Sequence, residues 1–329
     1  MHSLLAEPPS GERVLVDTRD ALAQAADEIG RAGALALDVE AGKPRGAPAA
    51  VAALIQIASE THTWLIDPLR LQGRLAPLDE ALRARSQPIA LFDAPGDVRW
   101  LESCGVRVAA ATDLLQVTRS AYGEQDKSLL DALRRHFRVA VDKSGQQADW
   151  LARPIPGPLR HYAARDAELT LALARRYADL FPDLMAIHTY AGGRVSLPEG
   201  LPAWVTRVLA GDRAPAYALA EQDGLPIDQE TSIGPLIAAS EQALEAISVP
   251  RLRARLYRAI ANLDLIELAP RVAAGLTSPC AVERAAAARA LGELNAVDFG
   301  DALAALSSDP VPDVARAAER ARLALSGDD

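Results

Sequence analysis

The sequence predicts an α/β layer domain followed by an all-helical repeat region, on three observations. Short apolar runs alternate with helical segments through the first half of the chain. From about Thr112 the apolar period is helical almost throughout, and the last third carries a 31-residue repeat. In chain order, Val14 to Val16 reads as a short strand. Thr18 or Asp20 can cap a helix over Ala21 to Ile29, which Gly30 and Gly33 end. Three apolar runs follow, Ala34 to Leu37, Ala53 to Ala58 and Thr63 to Ile66, each bounded by Gly, Pro, Ser or Asp and short enough to be strands. Leu75 to Ala84 reads as a helix, Pro88 to Phe92 as a strand and Gly96 to Cys104 as a helix. Helices are then expected over Asp113 to Tyr122, Ser128 to Phe137 and Pro158 to Leu180.

Composition narrows the class. Of 329 residues, 50% are apolar and only 4% aromatic, so the core is filled by Ala, Leu, Val and Ile and a mainly disordered chain is excluded. No apolar run approaches the ~18 residues of a membrane helix. Met1 to Arg13 contains Glu7, Pro8, Pro9 and Glu12 and no apolar stretch, so no signal peptide is expected and the chain reads as cytoplasmic. The two cysteines, Cys104 and Cys280, support neither a disulfide framework nor a Cys-rich zinc site. The net charge of −9 argues against non-specific coating of nucleic acid but not against local holding by an enzyme. No dinucleotide or P-loop glycine pattern follows a strand, and the five histidines show no metal-ligand spacing.

The break falls after Phe181 and Pro182. Residues 1–186 form the expected α/β domain, 187–231 a Gly/Pro-rich connector with at least one short helix near Trp204 to Leu209, and 232–329 the repeats. Arg258 to Leu263, Arg289 to Leu294 and Arg320 to Leu325 are related by steps of 31 residues, with second helices expected over Ile266 to Leu276 and Asp298 to Leu306. One helix pair cannot bury its inner face alone, so neighbours must stack. The stretch Glu283 to Leu294 resembles HEAT-type repeats, whose stacked surfaces commonly receive protein partners.

Three clusters bear chemistry. Asp38 and Glu40 are two apart at the end of a strand and project from one face. Such a pair is common on solvated strand ends, and equally suits a divalent cation. Asp97 stands where a strand turns into a helix, which fits an N-cap as well as a site. Tyr162 and Asp166 are one helical turn apart. Beside a metal, a phenol in that place can orient a water; elsewhere the pair is simply half-buried.

Taken together, the order, spacing and context of these residues resemble the DEDDy exonucleases, and ribonuclease D most of all, from about Val14 to Leu180. Ala53 to Ala58, Trp64 to Pro68 and especially Asp142 to Pro154, followed by Tyr162 and Asp166, carry the likeness. The resemblance implies a ribonuclease H-like mixed sheet flanked by helices. It implies Asp38, Glu40, Asp97 and Asp166 as ligands of two divalent ions, Mg2+ or Mn2+, with Tyr162 positioning the attacking water. It further implies 3′–5′ hydrolysis at single-stranded ends, RNA favoured and DNA an open alternative. A silent nuclease-fold scaffold recruiting a protein through the repeats is the other class of reading.

Two residues depart from the family's habit: Ala41 follows Glu40 where an aromatic residue is usual, and Asp93 stands where His is frequent. Lys143 and Arg153, with Arg134, Arg135, Arg138, Arg160 and Arg165, give Leu133 to Asp166 a positive excess. That excess reads either as a phosphate track or as a solvated face with internal ion pairs, with Lys143 favoured for substrate by its place in the matching stretch. Trp150 and Phe92 are candidates for stacking on a base, with Phe92 favoured as core.

Overall fold

The structure, a computed structural model, describes residues 4–6, 10–124, 128–139, 145, 148–225 and 233–326. The chain divides into two compact units, residues 1–118 with 127–195 and residues 119–126 with 196–329.

The first unit is built on a seven-stranded mixed sheet, with β1 (Glu12–Val16), β2 (Leu35–Gly42), β3 (Val51–Ala58), β4 (His62–Ile66), β5 (Ile89–Leu91), β6 (Ala110–Asp113) and β7 (Thr189–Ala191) in the order β1-β4-β3-β2-β5-β6-β7. β2, β3 and β4 form an antiparallel meander, while β1 pairs with β4, and β5 with both β2 and β6, in parallel. Between these strands lie α1 (Arg19–Arg31), α2 (Ala76–Arg83) and α3 (Ala94–Ser103). α1 starts where Thr18 accepts from the Ala21 N–H at 3.3 Å. Leu22 and Ile29 of α1, Leu78 and Leu82 of α2, and Val98 and Leu101 of α3 bury one sheet face together with Leu35, Leu37, Ile55 and Ile57.

After α4 (Leu114–Tyr122) and α5 (Leu129–His136), the opposite face is closed by α6 (Gly157–Leu180), then α7 (Pro182–Ile187). Ala163 and Ala164 of α6 pack with Leu54, Leu65 and Trp150. Small residues at that contact let the α6 backbone approach the sheet closely, bringing its polar neighbours within reach of β2.

Two strands were absent from the expected pattern. β6 and β7 are four and three residues long, and β7 lies inside the segment expected to be a connector, where it pairs antiparallel with β6. Further along that segment, α8 (Ala203–Ala210) lies where a helix near Trp204 to Leu209 is expected, and α9 (Ala216–Gln222) follows it; both belong to the second unit.

The second unit continues with α10 (Ile233–Ala246), α11 (Pro250–Asn262), α12 (Ala269–Ala273), α13 (Ala281–Glu293), α14 (Gly300–Leu306) and α15 (Pro312–Ser326). Single 3-10 turns flank α12 and precede α14. The 31-residue repeat places its copies on α11, α13 and α15, which stack in that order. Gly292 shows how tightly, since a Cβ there would sit 2.8 Å from the Ala321 Cβ. Among the described residues, no helix is long and apolar enough to cross a membrane.

Candidate active site

β2 carries Asp38 and Glu40 on the face opposite Leu37 and Val39, beneath α6. A bulge between Glu40 and Ala41, where β3 leaves Ala53 unpaired, bends the strand immediately past the pair. α6 contributes Asp166 and, one turn earlier, Tyr162. One carboxylate oxygen each from Asp38, Glu40 and Asp166 can be chosen so that all three lie within 4.8 Å of one another, a spacing suited to a shared cation. The fourth expected ligand, Asp97, lies in the first turn of α3 rather than at its cap. The cap position belongs to Asp93, held in the left-handed region at φ 66°. Asp97 Oδ2 is buried with no hydrogen-bond partner, and the Val39 N–H helps to stabilise its carboxylate.

The electrostatics of the four carboxyls agree on one point: in a metal-free site their charges are uncompensated. Burial, opposed by the Val39 N–H, raises Asp38 from 3.8 to about 6. Burial and then the charges of Asp38 and Asp166 raise Glu40 from 4.5 to about 8. Asp166 rises from 3.8 to about 7 through burial and Asp38, against the lowering effect of a hydrogen bond from Tyr162. Asp97 is pushed well above its ordinary value by burial, then by Asp38, Asp93 and Glu40. Buried carboxylates that repel one another are stabilised by cations, and an oxygen-only donor set fits Mg2+ or Mn2+. The orphaned Asp97 oxygen supplies the independent sign of fit. Tyr162 is shifted upward by burial and by Asp166, so its hydroxyl keeps its proton.

Residues expected to touch substrate fare differently. Arg153 Nε and Asp67 Oδ2 are 2.6 Å apart, and the guanidinium also donates to Asp67 Oδ1 at 3.0 Å and to the carbonyls of Ala53 and Trp150 at 2.6 and 2.7 Å. Its donors are engaged inside the protein, so it braces β3 and the end of β4 rather than gripping phosphate. Trp150 is 4% exposed and packs against Tyr162 with ring centroids 6.2 Å apart; it cannot stack on a base. Lys143 lies outside the described residues. Arg165 pairs with Glu168 at 3.3 Å, while Arg134, Arg138 and Arg160 are exposed.

Three residues escaped the sequence reading. Asp67 anchors Arg153, and Gly145 presses on the Tyr162 ring so closely that a Cβ would sit 2.3 Å from Cδ1. Gln56, directly across the ladder from Asp38, is fully buried with neither amide atom hydrogen-bonded. A lone amide in an otherwise apolar strand was the signal available for Gln56.

Residues 14–178 match the model of a 3′–5′ exonuclease family. The chain belongs to that family. Within the 3′–5′ exonucleases its resemblance is to the ribonuclease D and RRP6 group. It is 28% identical over 182 residues to an exosome complex component 10 homolog of Drosophila melanogaster, a match covering 55% of this chain and 20% of the relative. It is also 28% identical over 159 residues to the exosome complex exonuclease RRP6 of Saccharomyces cerevisiae, covering 48% of this chain and 21% of the relative. The matches thus span about a fifth of these relatives' lengths. A crystal structure of the catalytic core of RRP6 from Trypanosoma brucei aligns with TM-score 0.50 at 18% identity over 99% of this chain and 84% of that one, a likeness of fold.

The two departures from the exonuclease pattern have structural counterparts. Gly42, just past the missing aromatic, is approached by Leu151, whose Cγ would stand 2.7 Å from a Cβ there. Leu151 thus fills space beside the bulge. Asp93, in the place of the frequent His, adds negative charge next to Asp97.

Proposed function

We propose that this chain is a 3′–5′ exonuclease that hydrolyses phosphodiester bonds at single-stranded 3′ ends, RNA being the favoured substrate. The observation that carries this reading is the carboxylate cluster beside Tyr162: three oxygens within 4.8 Å, plus the unpartnered Asp97 oxygen. Family membership and the exosome exonucleases among the relatives support the polarity and the substrate.

Asp38, Glu40, Asp97 and Asp166 would hold two divalent ions. When bound, such ions lower the pKa of water and offset charge on the attacking and departing oxygens. The protein's own groups divide the remaining work. The four carboxylates must shed their protons to bind cations, so site assembly improves as pH rises through about 6 to 8. Tyr162, kept neutral and donating to Asp166, serves as a fixed hydrogen-bonding hydroxyl that can orient a water, not as a base. Trp150 and Gly145 both pack against its ring.

The test is incubation of the purified chain with 5′-labelled single-stranded RNA and DNA in Mg2+ or Mn2+, with and without EDTA. RNA shortened stepwise from the 3′ end, and protected by EDTA, is expected. RNA left intact with either metal overturns the reading.

A further inference from the structure

The helical unit is acidic overall, yet its arginines are unevenly placed. α11 carries Arg251, Arg255 and Arg258, spaced by four and three residues and therefore on one helix face. Arg255 and Arg258 line a cavity of about 480 Å³ together with Arg213 and Asn262. Arg255 is seated by donating to the Leu209 carbonyl and by Gly211, whose missing side chain leaves room for the guanidinium 3.0 Å from where a Cβ would be. Among the described residues, Arg213, Arg251 and Arg258 have no carboxylate partner, and the Arg251 Nε is buried without a hydrogen bond. The cavity's own carboxylate, Asp212, accepts from the Ala214 N–H. Burial and the charges of Arg251 and Arg258 hold the Arg255 guanidinium below its ordinary value, the mark of cations gathered without an anion.

The repeat extends this cluster into a row. Arg289 on α13 and Arg320 on α15 occupy the position of Arg258 in successive copies, and all three are exposed without a partner among the described residues. Arg258 and Arg289 line one further cavity, of about 340 Å³. Its two carboxylates are already engaged, Glu124 with Arg119 at 3.5 Å and Asp313 with Arg316. Stacked helices lie about 8–10 Å apart, so the row sets one arginine on each of three successive helices. Planar forks at regular intervals match the repeated phosphates of a nucleic-acid strand, each able to take a two-point hydrogen bond.

Resting on the proposed action on RNA for its occupant, we propose that the arginine cavity and the row Arg258, Arg289 and Arg320 form a phosphate-binding track for an RNA strand on the helical unit, separate from the carboxylate site. The track needs no metal, so it is tested apart from hydrolysis. The measurement is fluorescence anisotropy of a labelled single-stranded RNA of about 20 nucleotides with the full chain, in EDTA, over a series of salt concentrations. Arg213→Glu combined with Arg258→Glu is expected to weaken binding at least ten-fold. The salt slope should fall by about 1.4, roughly 0.7 for each lost phosphate contact on a single strand. Both side chains are exposed and unpartnered, so the melting temperature should stay unchanged.

A control with equal charge change, Arg271→Glu with Arg322→Glu, reverses arginines that already hold Glu245 and Glu319. An equal loss from the control overturns the proposal, because the effect is then one of net charge. Unchanged affinity and slope in the first variant also overturn it. So does displacement of the RNA by inorganic phosphate or a nucleoside monophosphate at matched phosphate concentration, which identifies a single-phosphate site, or by polyglutamate at matched charge, which identifies an acidic-protein surface. Failure of RNA hydrolysis with binding and its slope intact would count against the exonuclease reading alone.

Discussion

Asp166→Asn should stabilise the metal-free nuclease unit at alkaline pH while abolishing turnover. The carboxylate oxygens of Asp38, Glu40 and Asp166 fall within 4.8 Å of one another. At that distance two charges repel by about 3–4 kcal/mol at an effective dielectric constant of ~20. Burial and this repulsion raise Asp166 from 3.8 to about 7, and at about 1.4 kcal/mol per pH unit the shift is worth roughly 4 kcal/mol. Relaxation of the cluster and entry of water bring a realistic figure nearer 2 kcal/mol. The sign follows from linkage: a carboxyl raised in the folded state contributes fully below about pH 4 and loses that contribution as pH climbs through about 7. Asparagine has no such loss and can still accept from Tyr162. In EDTA, the variant's melting temperature should match wild type near pH 4.5 and exceed it by about 4–8 °C at pH 8.5, at 2–4 °C per kcal/mol for a unit of this size. Saturating Mn2+ should reverse the order, since only wild type holds the full ligand set. Calorimetric scans at both pH values decide it. A variant no more stable than wild type at pH 8.5 in EDTA would refute the account of mutual repulsion.

Three further outcomes are expected. Tyr162→Phe should leave Mn2+ affinity intact and lower kcat by about 10²–10⁴, as removal of a positioned proton-bearing group does; single-turnover kinetics with metal titration separates the two. Gly145→Ala should reproduce part of that loss by displacing the phenol, because its new Cβ would lie 2.3 Å from the ring; unchanged kcat would show that the ring can yield. Arg153→Met should destabilise the first unit by about 3–5 kcal/mol through the stranded Asp67 charge, read by urea unfolding, with KM for RNA unchanged once the protein is folded.

Features set by local sequence are legible without the fold. Asp38 and Glu40 lie on a β2 face that strand alternation alone indicates, and Thr18 caps α1 as its type and place require. Long helices such as α6 were visible from period. β6 and β7 were not, because four and three residues are too few to show alternation against helical surroundings. Arg153 looked like a phosphate ligand because its partner, Asp67, is 86 residues away and known only from the fold. Trp150 is a large amphipathic ring whose burial depends on α6 docking, again a long-range fact. The oxygens' convergence on one point, and the unpartnered Asp97 Oδ2 and Gln56 amide, belong to tertiary packing and have no trace in spacing.

Isothermal titration of the full chain with MnCl2 at pH 7.5 bears most directly on the carboxylate cluster as a cation site. Two ions should bind each wild-type chain, with at least one lost in Asp97→Asn although that variant still melts cooperatively. No binding to wild type, or the same stoichiometry in both proteins, would contradict the assignment of Asp38, Glu40, Asp97 and Asp166 as a metal centre.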